Sequence, residues 1–307
     1  MRKKGILLPS TWDFVREARQ AKGFSLFNLL HGYIYARWTY FYIAMGIGTH
    51  PLARRLGPVL NWIGNLIVAN APMEGQTQMG LAGLADTYHG KVLPLQTARE
   101  LVSVKEDICL GDLEKVIPYA LARDIILKNP DHIVVLDCPC RAARESPCLP
   151  MDVCLIVGEP FASFTVEHQP KHARWVSSEE AQAIIQAEDA RGHVHHAFFK
   201  DAMMGRFYAI CNCCSCCCGA LQAQRSGTPM LASSGYVARV DETLCTKCGK
   251  CSRTCAFDAI HIDGVAVIDL EQCMGCGICA GQCRQKAIEL VLMEGKGIPL
   301  SINASIS

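Results

Sequence analysis

Two runs near the C-terminus carry the plainest chemistry in this chain. CTKCGKCSRTC occupies 245–255 and CMGCGICAGQC occupies 273–283. Each spaces its cysteines as C-x2-C-x2-C-x3-C. That spacing suits an iron–sulfur cubane, which needs a thiolate on each of four irons, three of them supplied by one tight loop. Glycines at 249, 275 and 277 let the backbone approach a cluster without a Cβ in the way. Zinc is the rival occupant, but zinc sites prefer pairs of C-x2-C separated by a longer gap.

The runs sit inside a repeat of 28 residues. ARVDETLC at 238 returns as AVIDLEQC at 266, and DAIHI at 258 returns as KAIEL at 286. Each half reads as a strand, a ligand loop, a helical turn and a second strand. The segment resembles the bacterial two-cluster ferredoxin family. The resemblance implies one [4Fe-4S] cluster on Cys245, Cys248, Cys251 and Cys283, and a second on Cys273, Cys276, Cys279 and Cys255. The family usually carries proline after each fourth cysteine. Here Ala256 and Arg284 stand there, which loosens the turn without removing a ligand.

The chain has 19 cysteines, and the ferredoxin runs use eight. Cys109 stands alone in VSVKEDICLGDLEKVI and reads as a small buried hydrophobe. The other ten form two groups. Cys138, Cys140, Cys148 and Cys154 follow an apolar run, HIVVLDCPCR at 132–141, that reads as a buried strand. Cys211, Cys213, Cys214, Cys216, Cys217 and Cys218 crowd CNCCSCCCG at 211–219. All ten are expected as further iron–sulfur ligands, because free thiols at this density oxidise readily.

The four at 138–154 suffice for one more cubane, but six thiols exceed a cubane's four corners. Strand or helix geometry splits the six between faces. Two cubanes leave two thiols spare; a non-cubane cluster, or a site shared by both groups, uses another number. A disulfide framework is disfavoured by the odd count and by the reducing context that iron–sulfur ligation implies. The order C-x-C-R, a later cysteine pair, a V-H segment and CNCC-x-CCCG before two ferredoxin runs resembles a group of multidomain [4Fe-4S] proteins of anaerobic prokaryotes, over roughly residues 90–292. That resemblance implies iron–sulfur redox work and names no substrate.

Other residues compete for a role. GHVHH puts His193, His195 and His196 just before the cysteine-rich stretch; His195 is the candidate ligand or proton donor, being nearest the V-H pattern. Arg141 and Arg144 are candidates to offset cluster charge. No G-x-G-x-x-G follows a strand and no P-loop is present, so no nucleotide site is visible; GLAGLADTYHG at 80–90 has the wrong spacing for phosphate.

The elements that must position these residues follow from pattern. SSEEAQAIIQAEDARG reads as a helix with a capping box at Ser177 and Glu180 and a stop at Gly192. GRFYAI at 205–210 reads as a strand entering the cysteine cluster. The net charge of +1 gives no reason to expect nucleic acid, but residues 1–60 hold nine basic side chains against two acidic ones. That arm is aromatic-rich over 24–49 and again over 56–72. Neither stretch offers 18 uninterrupted apolar residues, so interfacial helices or a docking face for a membrane subunit are expected; a buried helical hairpin is the bland alternative. No secretory signal is visible: GILLPS is too short an apolar core. The expected location is cytoplasmic, at the inner face of the membrane.

The fold expected is α+β: a helical region over 1–90, a mixed α/β cysteine-rich domain over 91–232, a ferredoxin-like dicluster domain over 233–294 and a tail over 295–307. The function expected is single-electron relay among redox protein partners, as a component of an anaerobic redox complex. The alternatives are a self-contained reductase with an unusual cluster near Cys211–Cys218, and a thiol-based redox sensor.

Overall fold

The computed structural model of the chain describes residues 8–21, 24–55, 88–110 and 125–300. The second apolar stretch at 56–72, most of the glycine-containing segment at 80–90 and the last seven residues lie outside them.

Three helices open the described chain: α1 (Pro9–Gln20), α2 (Leu26–Arg37) and α3 (Thr39–Ile47). Ser25 caps α2, its hydroxyl accepting from Asn28 N at 3.0 Å. After β1 (Tyr88–Leu93) come α4 (Leu95–Leu101), β2 (Ile108–Leu110), β3 (Ile125–Asp137), α5 (Pro139–Ala142), β4 (Asp152–Glu159), α6 (Phe161–His168), β5 (Ala173–Val176), α7 (Ser178–Ala190), β6 (Val194–Lys200), β7 (Arg206–Cys213), α8 (Gly219–Arg225) and β8 (Leu231–Ala232). Cys109 falls on β2, its side chain outside those described. Ser177 caps α7 as its sequence requires, accepting from Glu180 N at 3.2 Å.

The strands form one mixed sheet in the order β2-β3-β4-β7-β6-β1-β8. Its pairs are antiparallel except β1 with β8. β5 joins the edge of β3 beyond β2. Central strands β4 and β6 are buried along nearly their whole length, as expected of a sheet covered on both faces. One face packs Leu155, Val157, Ala197 and Phe199 against α4 and α7. The other packs Cys154, Ile156, Phe198 and Cys213 against α1, α2, α6 and α8.

The N-terminal helices therefore cover the thiol-bearing face. Phe14 of α1 meets the ring of Phe164 at 5.2 Å, and Tyr40 Oη donates to Asp137 O at 2.8 Å. A Cβ on Gly32 would meet Ala202 O at 1.9 Å, so only glycine lets α2 lie this close. The opposite side of the helices stays open: Leu26 and Phe27 are 73% and 74% exposed, with Leu30, Trp38 and Phe41 beside them in the exposed set. Part of the arm thus matches the buried-hairpin alternative, and part presents an apolar face to solvent. Among the described residues, no helix is long and apolar enough to cross a membrane.

The C-terminal unit holds β9 (Tyr236–Val240), α9 (Lys250–Thr254), β10 (Ile260–Asp263), β11 (Val265–Ile268), α10 (Ile278–Gln282) and β12 (Ile288–Leu292). The repeat halves interleave: β9 of the first half pairs with β12 of the second, and β10 pairs with β11. That exchange brings the last cysteine of each run to the loop of the other. The architecture as a whole is α+β.

Candidate metal centres

The eight cysteines of the C-terminal unit line two hollows. Cys245, Cys248, Cys251 and Cys283 surround a cavity of about 330 Å³. Cys255, Cys273, Cys276 and Cys279 surround a smaller one of about 20 Å³. Backbone amides point at the sulfurs: Ala238 N lies 3.4 Å from Cys273 Sγ, and Ala259 N lies 3.4 Å from Cys255 Sγ. Such N–H···S bonds favour the charged form of a thiolate. Gly275 has φ +65°, and a Cβ there would meet Tyr236 O at 2.1 Å. Four cysteines line each hollow, and at the inner one the inward amides and close backbone suit a [4Fe-4S] cluster.

The two hollows differ in setting. Cys248 is exposed, and Lys247, Lys250, Arg253 and Arg284 line the hollow beside it. The other set faces inward. Ala256 and Ile278 belong to the same buried core as Cys213 and Cys218, with Phe257, Met274 and Cys276 packed against it. The departure at Ala256 thus gains a physical account: its methyl lies in that core, 3% exposed. Arg284, the second departure, is exposed. Gln282 Nε2 donates to Ala190 O at 2.9 Å and Asp189 O at 3.3 Å, tying α10 to the end of α7.

The ten middle cysteines do not divide along the chain. Cys138, Cys140, Cys148 and Cys154 do not come together as one set of four. Instead six sulfurs, three from each group, follow one another in a closed ring. Cys140 contacts Cys138, which contacts Cys154. Cys154 Sγ lies 3.9 Å from Cys211 Sγ, and Cys211 contacts Cys213. Cys213 Sγ lies 3.1 Å from Cys218 Sγ, and Cys218 closes the ring on Cys140. The other four, Cys148, Cys214, Cys216 and Cys217, have their sulfurs all within 4.8 Å of one another.

Local geometry produces this division. β3 delivers Cys138 at its end, and α5 turns Cys140 back beside it. β4 carries Cys154. Alternation along β7 sends Cys211 and Cys213 to one face and Asn212 to the other. The chain then leaves the strand, so Cys214, Cys216 and Cys217 swing away before α8 begins at Cys218. Cys148 reaches this second set from the loop between α5 and β4, its Sγ lying 2.8 Å from Cys216 Sγ.

The ring lines a largely apolar chamber of about 80 Å³, walled also by Tyr35, Ile43, Leu136, Phe198 and Tyr208. Tyr35 Oη and Tyr208 Oη are 2.9 Å apart. Hydrogen bonds from Cys154 and Cys213 lower Cys211 to about 6, and those from Cys140 and Cys213 lower Cys218 to about 5. The same contacts push Cys154 and Cys213 well up. Six thiolates around one enclosed apolar chamber would repel one another, so ionising all six requires cations between them. The donor set therefore fits a metal cluster.

His195 does not line this chamber. It pairs in register with Asn212, its Nδ1 lying 2.6 Å from Asn212 Oδ1 and its Nε2 3.6 Å from Asp189 Oδ1. Asn212 Nδ2 in turn donates to Val153 O at 2.7 Å, fixing the strand that carries Cys211 and Cys213. His193 Nδ1 lies 2.7 Å from Glu188 Oε2. His196 is fully buried, and burial pushes it down to about 3.

Arg141 is fully buried and donates to Glu188 Oε2 at 2.5 Å and Asn212 O at 3.2 Å, as well as to Pro150 O. Burial pushes the Glu188 carboxyl up, but hydrogen bonds from His193 and Arg141 outweigh it and hold the group below the usual range. Arg144 instead donates to Cys217 O at 3.1 Å and Gln222 Oε1 at 2.5 Å. Sequence reading missed Tyr35, Tyr208, Asn212 and Glu188. A buried-strand asparagine between two cysteines was the available signal for Asn212; for Tyr35, on a helix far away in sequence, there was none.

Residues 266–289 match the family model described as a 4Fe-4S binding domain. The chain thus carries an iron–sulfur, ferredoxin-type domain with at least one [4Fe-4S] cluster. No curated protein matches the chain, and no solved structure matches it.

Proposed function

We propose that this chain is a multi-centre iron–sulfur protein that relays single electrons through a dicluster ferredoxin unit to a further centre in the middle domain. The carrying observation is the shared core: the Cys255–Cys279 hollow abuts the layer that holds the six-thiol ring. In this reading Cys245, Cys248, Cys251 and Cys283 hold an outer cluster, and Cys273, Cys276, Cys279 and Cys255 hold an inner one. The ring of Cys138, Cys140, Cys154, Cys211, Cys213 and Cys218 holds a further polynuclear centre, since six thiolates exceed one cubane's corners. When bound, such clusters supply one-electron redox chemistry at potentials set by charge, hydrogen bonding and exposure.

The chain's own residues would then divide the work. Amides of Ala238 and Ala259 donate to Cys273 Sγ and Cys255 Sγ at the inner set. Phe257, Met274 and Ile278 line that hollow and limit access of water. Lys247, Lys250, Arg253 and Arg284 form a basic rim at the outer set, suited to an acidic redox partner. The test is an EPR redox titration of anaerobically purified protein. Signals from the ferredoxin clusters and from one further centre support the reading. Ferredoxin signals alone, with ten titratable middle thiols, contradict it.

The exposed face of α2 and α3, with Arg16, Arg19, Arg37 and Arg54 on the same arm, suits attachment to an anionic membrane surface on the cytoplasmic side. The chain is expected to co-sediment with anionic vesicles. A Leu26→Ser/Phe27→Ser variant should lose most of that binding with less than about 0.5 kcal/mol change in stability.

The self-contained reductase reading draws on the apolar chamber roofed by Tyr35 and Tyr208. It requires an iron not saturated by cysteine, so a small exogenous ligand such as cyanide should perturb the middle-domain EPR signal. An unchanged signal favours the relay.

A further inference from the structure

The four thiols outside the ring differ from every other cysteine set in the protein. Their sulfurs all lie within 4.8 Å of one another, the one such set of three or more cysteine, histidine or carboxylate ligands among the described residues. Cys148 Sγ lies 2.8 Å from Cys216 Sγ, and Cys216 Sγ lies 3.4 Å from Cys217 Sγ. A single ion bound tetrahedrally by sulfur at about 2.3 Å sets its ligands about 3.8 Å apart. In a cubane each thiolate sits on a separate iron and the sulfurs are held much further apart. The ferredoxin sets supply an internal control: none brings three sulfurs within the same limit, and each surrounds a hollow.

The backbone supports the distinction. The Cys217 amide donates to Cys214 Sγ, and the Cys148 amide donates to Cys217 Sγ. These bonds orient two of the sulfurs from within the set itself. Arg144 holds Cys217 O, and Gln222 Nε2 holds Cys216 O at 2.9 Å, fixing the loop that carries three of the four ligands. Four thiolates around a divalent cation leave a charge of −2, and the Arg144 guanidinium is bonded to that loop.

We propose that Cys148, Cys214, Cys216 and Cys217 bind one thiophilic divalent ion, zinc or iron, as a mononuclear tetrathiolate site. The inference rests on the reading that the middle thiols hold metal, and sharpens it. A mononuclear site contains no inorganic sulfide, whereas a cubane contains four, so sulfide separates the two.

The test compares full-length protein with a Cys148→Ser/Cys216→Ser variant, both purified anaerobically, for zinc, iron and acid-labile sulfide per chain. The site predicts loss of about one metal ion with sulfide unchanged. Loss of about four irons together with about four sulfides assigns these thiols to a cubane and overturns the inference while leaving the relay intact. Unchanged metal overturns it as well. A measurement on the unmodified chain guards against misfolding of the variant. X-ray absorption at the zinc edge should show four sulfurs at about 2.3 Å; if iron fills the site, Mössbauer spectra should show one isolated high-spin iron apart from the cluster iron. Absence of both signals contradicts the proposal.

Discussion

The ferredoxin unit and the middle domain both gather cysteines, but by opposite means. In the ferredoxin unit three cysteines of each hollow come from one seven-residue loop, and the interleaved strands bring the fourth. In the middle domain each set draws on two segments some 60 residues apart, brought together by β3, β4 and β7. The first arrangement depends mostly on contacts local in sequence. The second exists only while a large sheet, its covering helices and a buried ion pair are in place. Metal in the two regions should therefore respond differently to the same kind of damage.

The largest separation is expected from a ring variant with one change on each segment. Cys138→Ser/Cys213→Ser should abolish the iron of the six-thiol ring and leave the ferredoxin EPR signal at wild-type intensity. Equal loss in both regions would erase the distinction.

Next comes the scaffold. Glu188→Ala leaves Arg141 buried without its partner, which costs about 3–5 kcal/mol. Chemical denaturation should show the middle domain destabilised by that amount, with middle-domain metal lost before ferredoxin metal.

A comparable but pH-gated effect belongs to His168, whose Nε2 lies 2.9 Å from Thr11 Oγ1 beneath α1. Burial pushes it down to about 4, helped by Arg37. An unfolded histidine takes up its proton near 6.5, so between pH 6.5 and 4 the unfolded chain binds a proton that the fold refuses. Stability should fall by up to about 3 kcal/mol across that window. His168→Gln should reduce the dependence in a pH series of denaturation curves, leaving the part carried by buried His196.

The most confined effect is the local converse. Gly275→Ala forces a left-handed residue, at about 1–2 kcal/mol before its contact with Tyr236 O is counted. It should deplete the inner ferredoxin cluster while the ring keeps its metal.

The same contrast explains what could be read from sequence. The ferredoxin runs were legible because spacing within a run and one 28-residue repeat mark them, while the exchange of fourth cysteines between the hollows came from the family resemblance. The helix over 178–190 and the strand at 205–210 were legible because their signals are local, though the strand runs on to Cys213. The partition of the ten middle cysteines was not. Which of Cys138–Cys154 meets which of Cys211–Cys218 depends on where β7 ends, and Cys148 is parted from its neighbours by a loop whose path no periodicity reveals. His195 drew attention by its motif, yet its position opposite Asn212 turns it away from the thiols.

The central claim is that the middle domain carries metal of its own. Iron, zinc and acid-labile sulfide should be counted in anaerobically purified full-length protein. The account predicts clearly more than the eight irons and eight sulfides of two cubanes, with metal exceeding sulfide through the tetrathiolate ion. About eight of each, no zinc and ten reactive middle thiols would contradict it.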